Sequence, residues 1–348
     1  MKAVVFDGVD FVKLADAPKP DLHTSKDALI KVTHASICGS DLNILAGKIK
    51  VGKDKIIGHE GVGVVEKVGS DVKRIKPGDC VVVPVSVHCG ECTNCQKGRF
   101  NFCEHFGMFG HQPGWGDLPG TQAEYMRVPY ADAVLELVPP GVSEEQAILV
   151  GDNLITGYMG CENGSLSPGD VVVIFGAGPV GLCAVASARL FGPSLIISVD
   201  LLDYRLDAAK RLGADVTINS SQTDAAKEIK KMTQGQGADV AVEAVGSPET
   251  LNGCLESVRG GGVISILGVF PFTKVEISIR DFHRRNLQMR AGITNVANMG
   301  RLMSLIQHGK LDMGPLITHR MPLSKAEEAY RLSRSRSDKA LKIILFPT

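Results

Sequence analysis

"DVVVIFGAGPVGLCAVASARL", residues 170–190, decides the fold. Residues 171–188 are apolar over nearly the length that crosses a bilayer, but Asp170 and Arg189 bound the run and glycines interrupt it. A buried strand, a turn and a helix fit it better than a membrane span. The turn "GAGPVG" places Gly176, Gly178, Pro179, Val180 and Gly181 directly after the strand, at the helix start. The first glycine permits a tight turn, the second lets backbone approach a pyrophosphate, and the third lets helix and strand pack closely. The helix N-terminus then offers free N–H groups and a positive dipole end to phosphates. Asp200 ends the next apolar run, "SLIISVD", nineteen residues after Gly181, where a carboxylate can accept from ribose hydroxyls. Its charge would repel a 2′-phosphate, which favours NAD over NADP. Arg205 lies near enough to dilute that preference and is read as lining the adenine side.

On the C-terminal side the alternation continues: helix "YRLDAAKRLGA", which Gly213 can terminate, then the strands "DVAVEAV" and "GGVISILGV". The expected fold is α/β, with a doubly wound parallel sheet in this part of the chain. On the N-terminal side, residues 1 to about 150 show short Val/Ile runs broken by Gly, Pro and Asp, as in "GVGVVEKVGSDVKRIKPGDCVVVPV". That spacing predicts an antiparallel, barrel-like β domain. The opening "MKAVVFDGVDFVKLADAPKP" reads as a strand rather than an export signal. The final strand "KALKIILFP" must pair somewhere, and a return to the first domain is expected.

The charge balance excludes some classes of partner. Lys plus Arg equals Asp plus Glu, 38 each, so no global field draws the chain to nucleic acid or to a membrane. The basic run "RLSRSRSDK" reads as a solvated helix end. With no export signal read at the start of the sequence, a cytoplasmic location is expected, and it argues for metal binding or catalysis by the nine cysteines rather than disulfides.

Four of them, Cys89, Cys92, Cys95 and Cys103, form C-x2-C-x2-C-x7-C in "HCGECTNCQKGRFNFC". Thiolates at this spacing can converge on one tetrahedral zinc ion, and four sulfurs leave it no open position. An iron–sulfur cluster is the rival, but the x3-C-P continuation of the bacterial ferredoxin run is absent. The lobe is expected to be a staple, so chemistry belongs elsewhere. "ICGSD" holds Cys38, and "GHEGVGVV" holds His59 and Glu60.

Taken together, "GHEGVGVVEKVGSDVKRIKPGD", the cysteine lobe, "ITGY", "GAGPVGL" and the C-terminal strand resemble the zinc-dependent medium-chain alcohol dehydrogenases over essentially the whole chain. "GTQAEYMRVPYAD" and "GDNLITGY" are most similar to the branch holding glutathione-independent formaldehyde dehydrogenases and bacterial secondary-alcohol dehydrogenases. The resemblance implies a GroES-like catalytic domain over residues 1–155, with the zinc lobe at about 88–104. A Rossmann NAD-binding domain over 156–296 and a return to the catalytic domain over 297–348 complete it.

The resemblance also implies roles. Cys38, His59 and Asp152 match the three protein ligands of a catalytic zinc, and Glu60 matches a neighbouring carboxylate that can swap onto the metal. Ser40 matches the hydroxyl that takes the alcohol proton, and Lys342 a phosphate contact. Two zinc ions per subunit, one catalytic and one structural, are expected, with NAD as the cofactor. The reaction the resemblance implies is hydride transfer between NAD and a small or medium alcohol, with secondary alcohols and ketones favoured and primary alcohols and aldehydes the other option. Zinc, which lowers the pKa of bound water from about 15.7 to about 7, would acidify the alcohol.

Two positions depart from the pattern: Asn43 stands where many relatives carry the histidine that ends the proton relay, and Gly39 where some carry a cation. Val85 is smaller than the phenylalanine of primary-alcohol enzymes, which favours secondary alcohols and ketones. Trp115 is placed either at the pocket mouth or as a loop anchor. The short chain is expected to form a homotetramer, a homodimer being the other option. A polyol dehydrogenase, acting on diols or sugar alcohols, and a non-catalytic dinucleotide-binding protein are the competing readings.

Overall fold

A computed structural model describes residues 1–111, 114–271 and 274–347. The chain divides into two compact units, one of Met1–Ile155 with Asn295–Thr348 and one of Thr156–Thr294.

The second unit is built on a six-stranded parallel sheet. Its spatial order is Val216–Asn219, Leu195–Asp200, Val171–Phe175, Ala238–Glu243, Val258–Ile266 and Gln288–Ala291. Numbered along the unit this is 3-2-1-4-5-6, the doubly wound order whose reversal point lies beside the first strand. Two of these strands, Val216–Asn219 and Gln288–Ala291, are absent from the sequence expectation. Both are short and half exposed, and neither carries an apolar run.

The apolar stretch resolves into the strand Val171–Phe175 and the helix Pro179–Ala188, buried from Gly181 to Ala188. Ten residues of helix rise about 15 Å, half of a bilayer core. Among the described residues no helix is long and apolar enough to cross a membrane. At the turn, Gly176 has φ +99°, and a Cβ on Gly181 would lie 1.7 Å from the Gly176 carbonyl oxygen. Only hydrogen fits there.

The first unit centres on a seven-stranded sheet running Ile317–Pro322, Lys342–Phe346, Ala28–Ser36, Gly61–Val68, Cys80–Val83 and Glu136–Leu137, with Tyr125–Val128 also paired to Ala28–Ser36. All pairings are antiparallel except that of the two tail strands. The last strand sits against the third, with Ile344 opposite Ser36 and Leu345 opposite Ala35. The N-terminal stretch read as one strand is a hairpin, Lys2–Gly8 and Phe11–Asp16, because Gly8 and Asp10 adopt positive φ and reverse the chain. The basic run near the C-terminus ends the helix Ala326–Ser335, where Arg334 pairs with Asp10 at 2.5 Å.

Replacing Gly181 with alanine should destabilise the parallel-sheet unit by about 3 kcal/mol or more, since backbone must move to admit the methyl group. Thermal unfolding checks this; an unchanged midpoint would mean the turn relaxes freely.

Candidate active site and metal centres

Two neighbouring antiparallel strands build the centre of the first unit. Ala35 faces Gly61, so Cys38, just past the end of one strand, and His59, just before the start of the next, emerge at the same sheet end. His59 is seated by a close backbone crossing. The Gly58 carbonyl accepts from the Thr121 N–H at 3.0 Å, and a Cβ on Gly58 would lie 2.5 Å from Gln122 Cγ. Asp152 arrives in the link between the helices Glu144–Val150 and Asn153–Asn163, where the Gly151 carbonyl accepts from Val85 N–H at 3.0 Å.

The three side chains converge. Asp152 Oδ2 lies 3.3 Å from Cys38 Sγ and 3.7 Å from His59 Nε2, and one ligating atom from each falls within 4.8 Å of the others. Ser40 Oγ is 3.1 Å from His59 Nε2. The other imidazole nitrogen, Nδ1, faces Asp41 Oδ1 at 3.2 Å, with both residues almost fully buried. A carboxylate there favours the tautomer protonated at Nδ1 and leaves the Nε2 lone pair to the cluster. Asp41 also accepts from the Cys38 N–H at 2.9 Å, so one carboxylate orients two members of the site. Sequence reasoning missed it, although "CGSD" places an acid three residues after the cysteine, the spacing of a helix-start cap.

Electrostatics at the cluster are opposed in the absence of a cation. Burial, then the Asp152 and Glu60 carboxylates, push the Cys38 thiol up. Burial pulls the His59 imidazolium down, but Asp41 and Asp152 outweigh it and its pKa rises well above the usual value. Burial raises Asp152 as well, yet the His59 contact overcomes this and holds its carboxyl low. Thiolate, imidazole nitrogen and carboxylate oxygen form the mixed donor set with which three protein groups hold zinc and leave one place open. The residues fit the ion.

Glu60 is fully buried and binds Ser36 Oγ and Lys342 Nζ through Oε2. Burial raises its carboxyl to about 7 against the opposing pull of Lys342. Lys342 has no exposed surface, and its ammonium donates to Glu60 and to the Ile37 carbonyl at 3.2 Å. A buried ammonium needs its counter-ion, which Glu60 supplies, and these contacts use two of its three N–H donors.

Val85 is 3% exposed, adjacent through Gly151 to Asp152. Trp115 stacks on His111 at 4.9 Å and meets Phe106 edge-on at 6.1 Å, the contacts of a loop anchor.

The four lobe cysteines are free thiols whose sulfurs all lie within 4.8 Å. Cys89 and Cys103 are 3.6 Å apart, and the pairs Cys89–Cys95 and Cys92–Cys103 are 4.0 Å apart. A regular tetrahedron with Zn–S bonds of 2.3 Å has edges of about 3.8 Å. Backbone N–H groups of Cys89, Cys92 and His105 already point at the sulfurs, and those of Glu104 and Cys95 hold the Cys92 thiol down at about 6. Beside the lobe, buried His88 stacks on Phe100 at 4.0 Å, and burial pulls its pKa down to about 4.

In the parallel-sheet unit, Asp200 Oδ2 accepts from Ala177 N–H at 2.7 Å, and Oδ1 from Leu201 and Leu202 N–H at 2.8 and 3.0 Å. It therefore braces the glycine turn, and the spare lone-pair site on Oδ2 remains for a ribose hydroxyl. Arg205 Nη1 lies 3.8 Å from Asp200 Oδ2 and the same distance from a Cβ built on Gly178, which places it across the turn.

A β-rich unit with a buried Cys–His–Asp cluster and a four-cysteine lobe, together with a doubly wound unit bearing a glycine turn, defines the class of zinc-binding dehydrogenases. Comparison with known proteins agrees. Residues 24–139 match the alcohol dehydrogenase GroES-like domain, and residues 179–307 match the zinc-binding dehydrogenase domain. An alcohol dehydrogenase of Cupriavidus necator is 36% identical, covering 100% of this chain and 99% of that one. Sorbitol dehydrogenase of Bacillus subtilis is 34% identical over 100% and 97%. The structure of alcohol dehydrogenase TADH from Thermus sp. ATN1 superposes with a TM-score of 0.95 at 38% identity, each chain fully covered. The chain belongs to the zinc-dependent medium-chain alcohol dehydrogenase family and is an oxidoreductase of the alcohol and polyol dehydrogenase type.

Asp41→Asn should weaken zinc binding at the Cys38 cluster by about 10-fold to 100-fold, measured by chelator competition, because His59 loses its orienting anion. His88 sets an acid limb on stability. Its pKa is about 4 folded against 6.5 unfolded, so the unfolded chain binds the extra proton as pH falls from about 6.5. Stability drops toward pH 4 by up to about 3 kcal/mol from this group. His88→Phe should flatten that limb relative to the parent in denaturant titrations at pH 7 and 4.5; parallel curves would refute the assignment.

Proposed function

We propose that the protein is an NAD-dependent zinc alcohol dehydrogenase that transfers hydride between NAD and a small or medium alcohol, with secondary alcohols and ketones favoured. The convergence of Cys38 Sγ, His59 Nε2 and Asp152 Oδ2 carries this reading. One catalytic zinc held by these residues and one structural zinc held by Cys89, Cys92, Cys95 and Cys103 complete the proposal, and size and lineage suggest a cytoplasmic homotetramer.

The catalytic zinc supplies Lewis acidity toward an alcohol or carbonyl oxygen. The chain supplies the rest. Asp41 holds His59 with its Nε2 turned to the cluster. Ser40 Oγ, beside that nitrogen, is positioned to take and pass on the hydroxyl proton. Asn43 cannot titrate near neutrality, so the proton exit would not run through position 43; water and the ribose hydroxyls of a bound dinucleotide, or another base, would have to serve. Gly176, Gly178 and Gly181 would cradle the pyrophosphate, with Pro179 and Val180 at the helix start, and the Asp200 carboxylate would select a ribose with free hydroxyls.

Polyol oxidation is a second reading, favoured by the full-length similarity to sorbitol dehydrogenase of Bacillus subtilis. One assay separates them: NAD and NADP reduction over primary alcohols, secondary alcohols, diols and sugar alcohols, with zinc counted in the same sample. The expected outcome is two zinc ions per chain and the highest kcat/KM with NAD and a secondary alcohol. Highest turnover on diols would favour the polyol reading, and a single zinc would remove one of the two proposed centres.

A further inference from the structure

Next to Asp152 stands a residue to which neither the sequence motifs nor the family resemblance gives a role. Asn153 is fully buried. Its Nδ2 donates to Asp152 Oδ2 at 2.8 Å and to Cys38 Sγ at 3.7 Å. An amide nitrogen carries two hydrogens, so each of two ligand atoms receives one from the same group. The orientation is chemically fixed, because a flipped amide would aim its oxygen at a carboxylate and a thiolate. Oδ1 finds no hydrogen-bond partner among the described residues, so the amide is held by its donor end alone.

We infer that Asn153 is a positioning residue for the catalytic metal: its amide clamps Asp152 and Cys38 together as ligands and withdraws charge from both. Both accepted bonds are charge-assisted when the ligands are anionic, which makes them stronger anchors than neutral amide contacts. By drawing electron density from two of three ligands, the clamp leaves the metal a stronger acid toward the oxygen of the substrate. Ligating groups are commonly tuned this way by the hydrogen bonds behind them. The bonding differs from that of Asp41, which donates charge into His59 through Nδ1. One neighbour strengthens its ligand and the other weakens two.

This inference rests on Cys38, His59 and Asp152 forming a metal centre, and the test separates the two ideas. Cobalt(II) is loaded at that centre with the lobe left in zinc, and the Cys38-to-cobalt charge-transfer band is recorded. Removing an N–H···S bond raises the energy of the sulfur lone pairs, so the band should move to longer wavelength in Asn153→Leu. It should move the same way in Asn153→Asp, which keeps the shape but has no donor when ionised. Chelator competition should show zinc held about 10-fold less tightly in Asn153→Leu, because two ligands that are no longer held in place cost more affinity than their added donor strength returns. Circular dichroism confirms folding of each variant. An unshifted band with unchanged zinc affinity in folded Asn153→Leu overturns the clamp. If the parent protein takes up no cobalt at Cys38, the metal-centre reading itself falls, and the clamp with it.

Discussion

The pairing of Ala35 with Gly61 governs the first unit. Because these strands are antiparallel, the chain leaving one and the chain entering the other meet at the same edge, which brings a cysteine and a histidine twenty-one positions apart into contact. The register cannot slip by one residue without turning each strand's buried face outward. Val32, Ile30 and Val65 lie in the core on these strands, so hydrophobic burial and placement of the ligands are enforced by the same constraint. The tail strand adds to it, since Ile344 faces Ser36 and Lys342 is delivered to Glu60 and the Ile37 carbonyl.

That edge gathers four acidic groups, Cys38, Asp41, Glu60 and Asp152, against two bases, His59 and Lys342. Isolated buried charges are costly, and paired ones return the cost only when their lone pairs and protons are met. Lys342 answers Glu60, and Asp41 answers His59. Cys38 and Asp152 are left facing each other, and the thiol responds by holding its proton. A divalent cation placed between them reverses that response, and it would do so by exchanging a proton on sulfur for a metal bond. Affinity for the metal and acid sensitivity of the site are thus one property of the same four groups.

What the sequence disclosed depended on how local each signal was. The glycine turn and Asp200 are read from contiguous residues, because their geometry is set by one strand, one turn and one helix. The cysteine lobe is legible for the same reason: sulfurs two residues apart can reach one point whatever surrounds them. Cys38, His59 and Asp152 are separated along the chain and became a set only through resemblance to a family. Lys342 shows the limit of that route: its motif position suggested a phosphate contact, and its pairing with Glu60, which depends on strands about three hundred residues apart, left no local signal. Asn153 left no signal at all, since an asparagine beside an aspartate at a helix start is ordinary capping chemistry until its amide is found against a thiol. The strands Val216–Asn219 and Gln288–Ala291 were invisible because edge positions tolerate polar residues.

Asp200 and Asp41 solve related problems in opposite units. Each carboxylate accepts from backbone N–H groups at the start of a helix, and each turns its remaining capacity toward a functional partner, a ribose in one case and His59 in the other. A carboxylate can serve both ends because it offers about four lone-pair sites and backbone donors occupy only some of them. Such residues are hard to replace conservatively. An amide keeps the size but has one accepting oxygen and no charge, so either the helix start loses its bond or the partner loses its facing anion. Loss of function at these positions would therefore be accompanied by loss of local order, whereas at Ser40, whose hydroxyl meets His59 of the cluster, the two should separate.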